Sequence, residues 1–145
     1  MTTDTSSKIS ADEFNQIITA ELPWAASLNI AMDSMQAGKV IMRLPYHQDS
    51  VRPGGTISGP HMMLLADACM YGVVLSLLGP VKLAVTTNLN INFMSKPQPD
   101  CDLLARCNLM KVGKRLAVGE VWIRSEGSDE LVAHTTLTYS IPAER

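Results

Sequence analysis

Apolar and polar positions divide the chain into one short amphipathic stretch, one long unbroken apolar stretch and several alternating runs. Ser10-Ala11-Asp12-Glu13 has the form of a capping box, and Phe14, Ile17 and Ile18 follow at helical spacing. This predicts an amphipathic helix over 11–21 that ends before Pro23. Leu28 to Asp33 and Lys39 to Leu44, joined across Gln36-Ala37-Gly38, read as a hairpin of two strands. From Pro45 to Ser58 the chain is rich in Pro, Gly and polar residues. A loop of about a dozen residues is longer than most, and such loops are usually functional. Residues 59–78 lack a polar face, which predicts a helix surrounded by protein on nearly all sides. Four strand-like runs follow Gly79-Pro80, at 82–94, 101–111, 115–125 and 130–140. The turns between them hold Lys96-Pro97-Gln98-Pro99, Val112-Gly113-Lys114 and Glu126-Gly127-Ser128. The predicted class is α+β: a twisted antiparallel sheet wrapped around one long central helix, with a second sheet or subunit covering what remains.

Composition narrows this picture. The 145 residues, 46% hydrophobic, suit a single domain over 1–145 with a substantial core, and residues 1–9 are expected to be a disordered N-terminus. A net charge of -2 gives no basic footprint for a nucleic-acid backbone. Met62 to Leu78 approaches the length of a membrane span, but Asp67 inside it would cost about 3 kcal/mol in lipid. A buried helix is therefore expected, with no membrane partner. Cys69, Cys101 and Cys107 form no metal-ligand pair, so neither a metal site nor a disulfide framework is implied, and buried thiols suit a reducing compartment. Met1 to Lys8 lacks the charged-then-apolar order of a signal peptide, and a cytoplasmic location is expected.

Gly55-Thr56-Ile57-Ser58-Gly59-Pro60 followed by Leu65-Ala66-Asp67 resembles the PaaI-type hotdog thioesterases, whose stretch is commonly G-x-x-H-G-G followed by L-A-D. Gly59 and Asp67 fall on that spacing. The similarity continues through Val85 to Met94 and through Gly113 to Glu120, covering about residues 28 to 140. Three positions depart from the pattern. Ser58 stands where the family usually has His, Pro60 replaces the second glycine, and Arg52 lies where Asn or Gln is common. The resemblance implies a hotdog fold and hydrolysis of an acyl-thioester, with coenzyme A as part of the substrate and no separate cofactor.

Asp67 lies in an almost wholly apolar helix, so ionising it demands hydrogen bonds or an open pocket. In the resembling family this acid is a general base or nucleophile; the plain alternative is a structural carboxylate capping a neighbouring strand. Gly59, at the helix N-terminus, is a candidate oxyanion donor, because free backbone N–H groups and the positive end of the dipole face outward there. Pro60 carries no N–H, which leaves Gly59 or His61 to donate. Ser58 is by default the helix N-cap, with substrate contact as an added role in the site. His61, three residues further along, points to a different side; it is a candidate substrate contact against the plainer reading of a satisfied structural histidine.

In 86–94, Thr86, Asn88, Asn90 and Asn92 alternate with Thr87, Leu89, Ile91 and Phe93, so strict alternation predicts one polar face. That face could simply be solvated, yet asparagine is poor in strands and three of them suggest specific hydrogen bonds. The family has a Ser or Thr near here that positions the attacking water; Thr86 matches it best, with Asn88 a candidate substrate contact. Lys114 and Arg115 resemble the basic pair that holds coenzyme A phosphates in such sites, and Arg52 is a third candidate. Met62, Met63, Met70 and Met94 would line a pliable tunnel if they face the acyl group, or merely fill a core. His47 and His134 have no partner at informative spacing.

Gly59 and Asp67 are eight residues apart, so at about 1.5 Å per residue they differ by roughly 12 Å along one helix. One carbonyl cannot be reached from both. The site is expected at the subunit interface of a homodimer or homotetramer. The alternative function is a non-catalytic acyl-CoA binding or sensing domain. A dehydratase on the same fold normally needs a His near the acid, and none matches.

Overall fold

A computed structural model describes residues 6–143. Helix α1 (Ala11–Glu21) opens on the expected capping box: Ser10 Oγ accepts the Glu13 N–H at 3.0 Å, and Glu13 Oε1 accepts the Ser10 N–H at 3.3 Å. Pro23 then starts a second, five-residue helix, α2 (Pro23–Ser27), which the pattern did not predict. This displaces the first strand. β1 (Ala31–Gln36) begins three residues later than the expected Leu28, because Leu28 caps α2 and Asn29 takes a positive φ of 58°. It pairs with β2 (Lys39–Leu44) through a tight Ala37-Gly38 turn, in which Gly38 supplies φ 80°.

The long loop holds a 3-10 turn at Gln48–Ser50 and a small hairpin, β3 (Val51–Arg52) with β4 (Thr56–Ile57). Helix α3 (Gly59–Leu78) has the expected bounds, and its start is set by Ser58 as N-cap with Pro60 in the first turn. Strands β5 (Val85–Phe93), β6 (Leu103–Val112), β7 (Leu116–Ser125) and β8 (Ala133–Ser140) complete one antiparallel sheet in the order β1-β2-β6-β7-β8-β5.

The sheet wraps α3, which touches all six strands; this is the hotdog arrangement. Inward positions of the alternating strands, such as Val40, Met42, Ala105, Val121, Ile123 and Leu137, close on the helix. α3 is long and apolar enough to cross a membrane, and here it is the buried core helix of the domain. Enclosure is complete only from Ala68 to Ser76. In the first half Pro60 and Met63 are exposed and Leu64 and Asp67 half-buried, a stripe at i, i+3, i+4 and i+7 that the described residues leave open.

The two sheet edges differ. Asn15 of α1 covers the β1 edge, accepting the Met32 N–H at 2.7 Å and donating to the Met32 carbonyl at 3.3 Å. Among the described residues β5 pairs only with β8, and its other edge is open. Of the N-terminal segment expected to be disordered, residues 1–5 lie outside the described residues. Residues 7–9 are packed instead: Lys8 N–H donates to the Ser76 carbonyl at 2.8 Å, and Ile9 is 5% exposed. This segment is held because it satisfies a carbonyl and adds an apolar residue to the core.

Candidate active site

Asp67 is half-buried midway along α3, and one of its oxygens is fixed by two hydroxyls. Oδ1 accepts from Thr86 Oγ1 at 2.5 Å and from the Tyr139 phenol at 2.8 Å; the phenol also lies 3.0 Å from the Asp67 main-chain carbonyl. Oδ2 accepts no hydrogen bond from any described residue and is not sealed from solvent. Tyr139 is 3% exposed, and burial together with the Asp67 charge pushes its phenol well above the ordinary value, so it remains a proton donor.

Thr86 reaches Asp67 because β5 carries a bulge. Thr86 pairs with Tyr139 and Asn88 with Thr138, so Thr87 is the extra residue and bonds the Thr138 carbonyl through its own hydroxyl at 3.2 Å. The single polar face predicted by strict alternation is therefore corrected. Asn88, Asn90 and Asn92 share the face of Thr138, Thr136 and His134, whereas the bulge turns Thr86 to the helix side. Asn88 is thus not brought to Asp67.

At the other end of α3, Ser58 Oγ accepts the His61 N–H at 3.4 Å and lies 2.5 Å from His61 Nδ1. His61 therefore turns back onto Ser58 as its hydrogen-bond partner. Pro60 has no N–H and that of His61 is capped by Ser58, which leaves the Gly59 N–H without a partner among the described residues. A cavity of about 470 Å³ opens beside it, lined by Arg52, Ile57, Gly59, Met62, Phe93 and Lys96. A Cβ on Gly59 would stand 3.1 Å from the Phe93 ring, so glycine lets that ring close over the helix terminus. Of the methionines, Met62 lines this cavity, Met63 and Met94 are exposed, and Met70 is buried in the core.

Strand register sorts the remaining candidates into two groups. Leu116 pairs with Ser140, which pairs with Val85, so the β6–β7 turn carrying Lys114 and Arg115 lies at the same end of the sheet as Thr86, Tyr139 and Asp67. Phe93 pairs with Ala133 at the opposite end, with Gly59, Ser58, His61, Arg52 and Lys96. One chain therefore does not bring Gly59 and Asp67 together. Three residues of these groups escape a reading of the sequence. Tyr139 carries a signal, since it falls on the inward positions of β8 with Thr135 and Leu137, but its partner depends on the bulge. Phe93 and Lys96 are placed by β5 running antiparallel to α3, which no local pattern specifies. Among the described residues no cluster of three metal-ligating side chains occurs, and Cys69, Cys101 and Cys107 are free.

Residues 54–132 match the thioesterase superfamily. No curated protein matches the chain significantly. Among solved structures, a candidate thioesterase from Silicibacter sp. is 39% identical, with 96% of each chain covered and a TM-score of 0.86. A thioesterase from Haemophilus influenzae superposes with a TM-score of 0.84 at 19% identity, covering 99% of this chain and 98% of that one. PaaI of the E. coli phenylacetic acid degradation operon gives 0.79 at 18% identity, covering 91% and 93%. The last two likenesses speak for the fold alone.

Proposed function

The chain belongs to the thioesterase superfamily, and from that premise we propose that it hydrolyses acyl-CoA with water activated by Asp67. The observation that carries this reading is the asymmetric carboxylate, one oxygen held by Thr86 and Tyr139 and the other open. Oδ2 takes a proton from water as the water oxygen attacks the thioester carbonyl. The Gly59 N–H polarises the carbonyl oxygen, the C–S bond breaks, and the thiolate takes the proton back from Asp67 to leave as free CoA.

The site is built from two chains. Gly59 lies by Phe93 and Asp67 by Thr86, near opposite ends of β5. A two-fold axis through the middle of β5, joining two open edges as antiparallel neighbours, carries the Asp67 end of one copy onto the Gly59 end of the other. The exposed apolar side chains along this edge, Val85 at 57%, Phe93 at 50% and Met94 at 57%, support a homodimer with two equivalent sites, which a homotetramer would double. The same axis brings Lys114 and Arg115 toward Arg52 and Lys96, a cationic rim suited to CoA phosphates. Ser58 and His61 would border the acyl group at that junction. The three free thiols fit a cytoplasmic setting.

Release of free thiol from a panel of acyl-CoAs tests the activity; a binding domain would raise the melting temperature without releasing thiol. Mixing Asp67→Asn with a Gly59→Val variant tests the shared site. Heterodimers should recover one native site and show activity that neither parent has. Inactive heterodimers of verified composition would refute the two-chain arrangement.

A further inference from the structure

Two hydroxyls converge on Oδ1 of Asp67, and the one from Tyr139 has a choice of acceptors. Its single proton can go to the carboxylate at 2.8 Å or to the Asp67 main-chain carbonyl at 3.0 Å, not to both at full strength. Opposite an ionised carboxylate the charge-assisted bond wins, since such bonds are roughly twice as strong as neutral ones. Once the carboxyl is protonated that advantage goes, and a small rotation of the O–H turns it to the carbonyl. The ring cannot follow the proton. It is 3% exposed and packs at 6.4 Å centroid distance on Tyr71, whose own phenol donates to the Lys82 carbonyl at 3.1 Å.

We propose that Tyr139 is a positioning residue for thioester hydrolysis: it holds the Asp67 carboxylate with Oδ2 toward the water, and loosens when the carboxyl takes the water's proton. This rests on reading Asp67 as the base. The ionisable groups packed around the carboxylate are few. Tyr139 comes from β8 and Tyr71 lies behind it on α3, β5 offers the neutral hydroxyl of Thr86, and the Lys82–Glu21 pair stands beyond Tyr71. No salt bridge reaches Asp67 among the described residues, so hydroxyl donors take the place that a cation fills elsewhere. A purely structural tyrosine would need only the carbonyl contact. The shorter distance is to the carboxylate.

The test measures kcat and KM against pH in the full-length protein, for Tyr139→Phe and for 3-fluorotyrosine placed at 139, a stronger donor of nearly the same size. Loss of the donor should move the acidic limb of the kcat profile up by about one pH unit and lower its plateau about tenfold, with KM for acyl-CoA unchanged. Fluorotyrosine should move the limb the opposite way, and it decides the matter if Tyr139→Phe does not fold. If neither change moves the limb while Asp67→Asn is inactive, Tyr139 is packing alone and this proposal falls by itself. If Asp67→Asn turns over normally, the reading of Asp67 as base falls and this proposal with it.

Discussion

From Gly59 to Asp67, the first half of α3 leaves Pro60 and Met63 exposed and, among the described residues, a Gly59 N–H and a carboxylate oxygen without partners; from Ala68 to Ser76 every residue is buried. Both halves are apolar, so composition does not separate them. What differs is the cover. The second half is roofed by α1, where Phe14 packs on Tyr71 at 5.9 Å, and by the segment before α1, where Lys8 N–H bonds the Ser76 carbonyl. Its buried serine hydroxyl is satisfied both ways: Ser76 Oγ donates to the Val73 carbonyl at 2.6 Å and accepts the Gly38 N–H at 3.0 Å. The first half lies beside the open edge strand, and among the described residues nothing covers Pro60 and Met63. Closing polar groups stabilises the fold, while leaving them open keeps them for a ligand, and a single helix here does each in turn.

Asp67→Asn should break the comparison at its most sensitive point. Thiol release is expected to fall by about 10³-fold or more, with the melting temperature close to that of the native chain. Near-normal turnover would mean that the open half carries no chemistry. Loss of folding would mean that Asp67 belongs to the closed half.

The converse change lies two turns further on. Leu75 is fully buried, so Leu75→Ala should cost about 3 kcal/mol in a denaturant titration, while kcat per folded molecule stays unchanged. The glycines divide in the same way. A Cβ at Gly72 would meet Met32 Cε at 2.5 Å and Phe14 Cζ at 3.2 Å inside the core, whereas at Gly59 it meets a half-exposed ring. A third change sharpens the functional side. If Lys114 and Arg115 hold CoA phosphates, Lys114→Ala and Arg115→Ala should each raise KM for acyl-CoA about tenfold and leave KM for a short thioester without the nucleotide unchanged. Equal effects on both substrates would place the pair outside the site.

Much of this contrast was legible beforehand, and the reasons are local. Ser58, Pro60 and Gly79-Pro80 bracket α3 by capping chemistry that needs no tertiary contact, and Asp67 stands out as the one charge in that apolar run. The α2 turn was missed because Pro23 stops one helix and starts another equally well. Alternation puts Thr86 and Asn88 on one face, but it fails at a bulge, and the bulge at Thr87 exists only in the pairing with β8. Lys96 and the partner of Tyr139 escape the sequence for the same reason: both depend on register between distant strands and a helix, not on spacing along the chain.

Tyr139 lies at the seam between the two halves, and its titration reports which half it serves. Burial first, and the Asp67 charge second, raise its phenol above the ordinary value of 10.0 in the folded chain. The phenol is neutral when protonated, so between the unfolded and the folded value the native state keeps a proton that the unfolded state has lost. Its contribution to stability is therefore fully present below pH 10 and is lost as the pH rises beyond it, by about 1.4 kcal/mol for each pH unit. Tyr71 is also raised, by burial and by Glu21, and adds a loss of the same sign, so the informative quantity is a difference between variants. Denaturant midpoints for the native chain and Tyr139→Phe, followed from about pH 9 to about pH 11, should converge as the pH rises, because only the native chain loses this term. Parallel curves would mean that the phenol titrates as freely in the folded state as in the unfolded one. The seam would then be open to water, and Asp67 would stand in the exposed half with no anchor from the core.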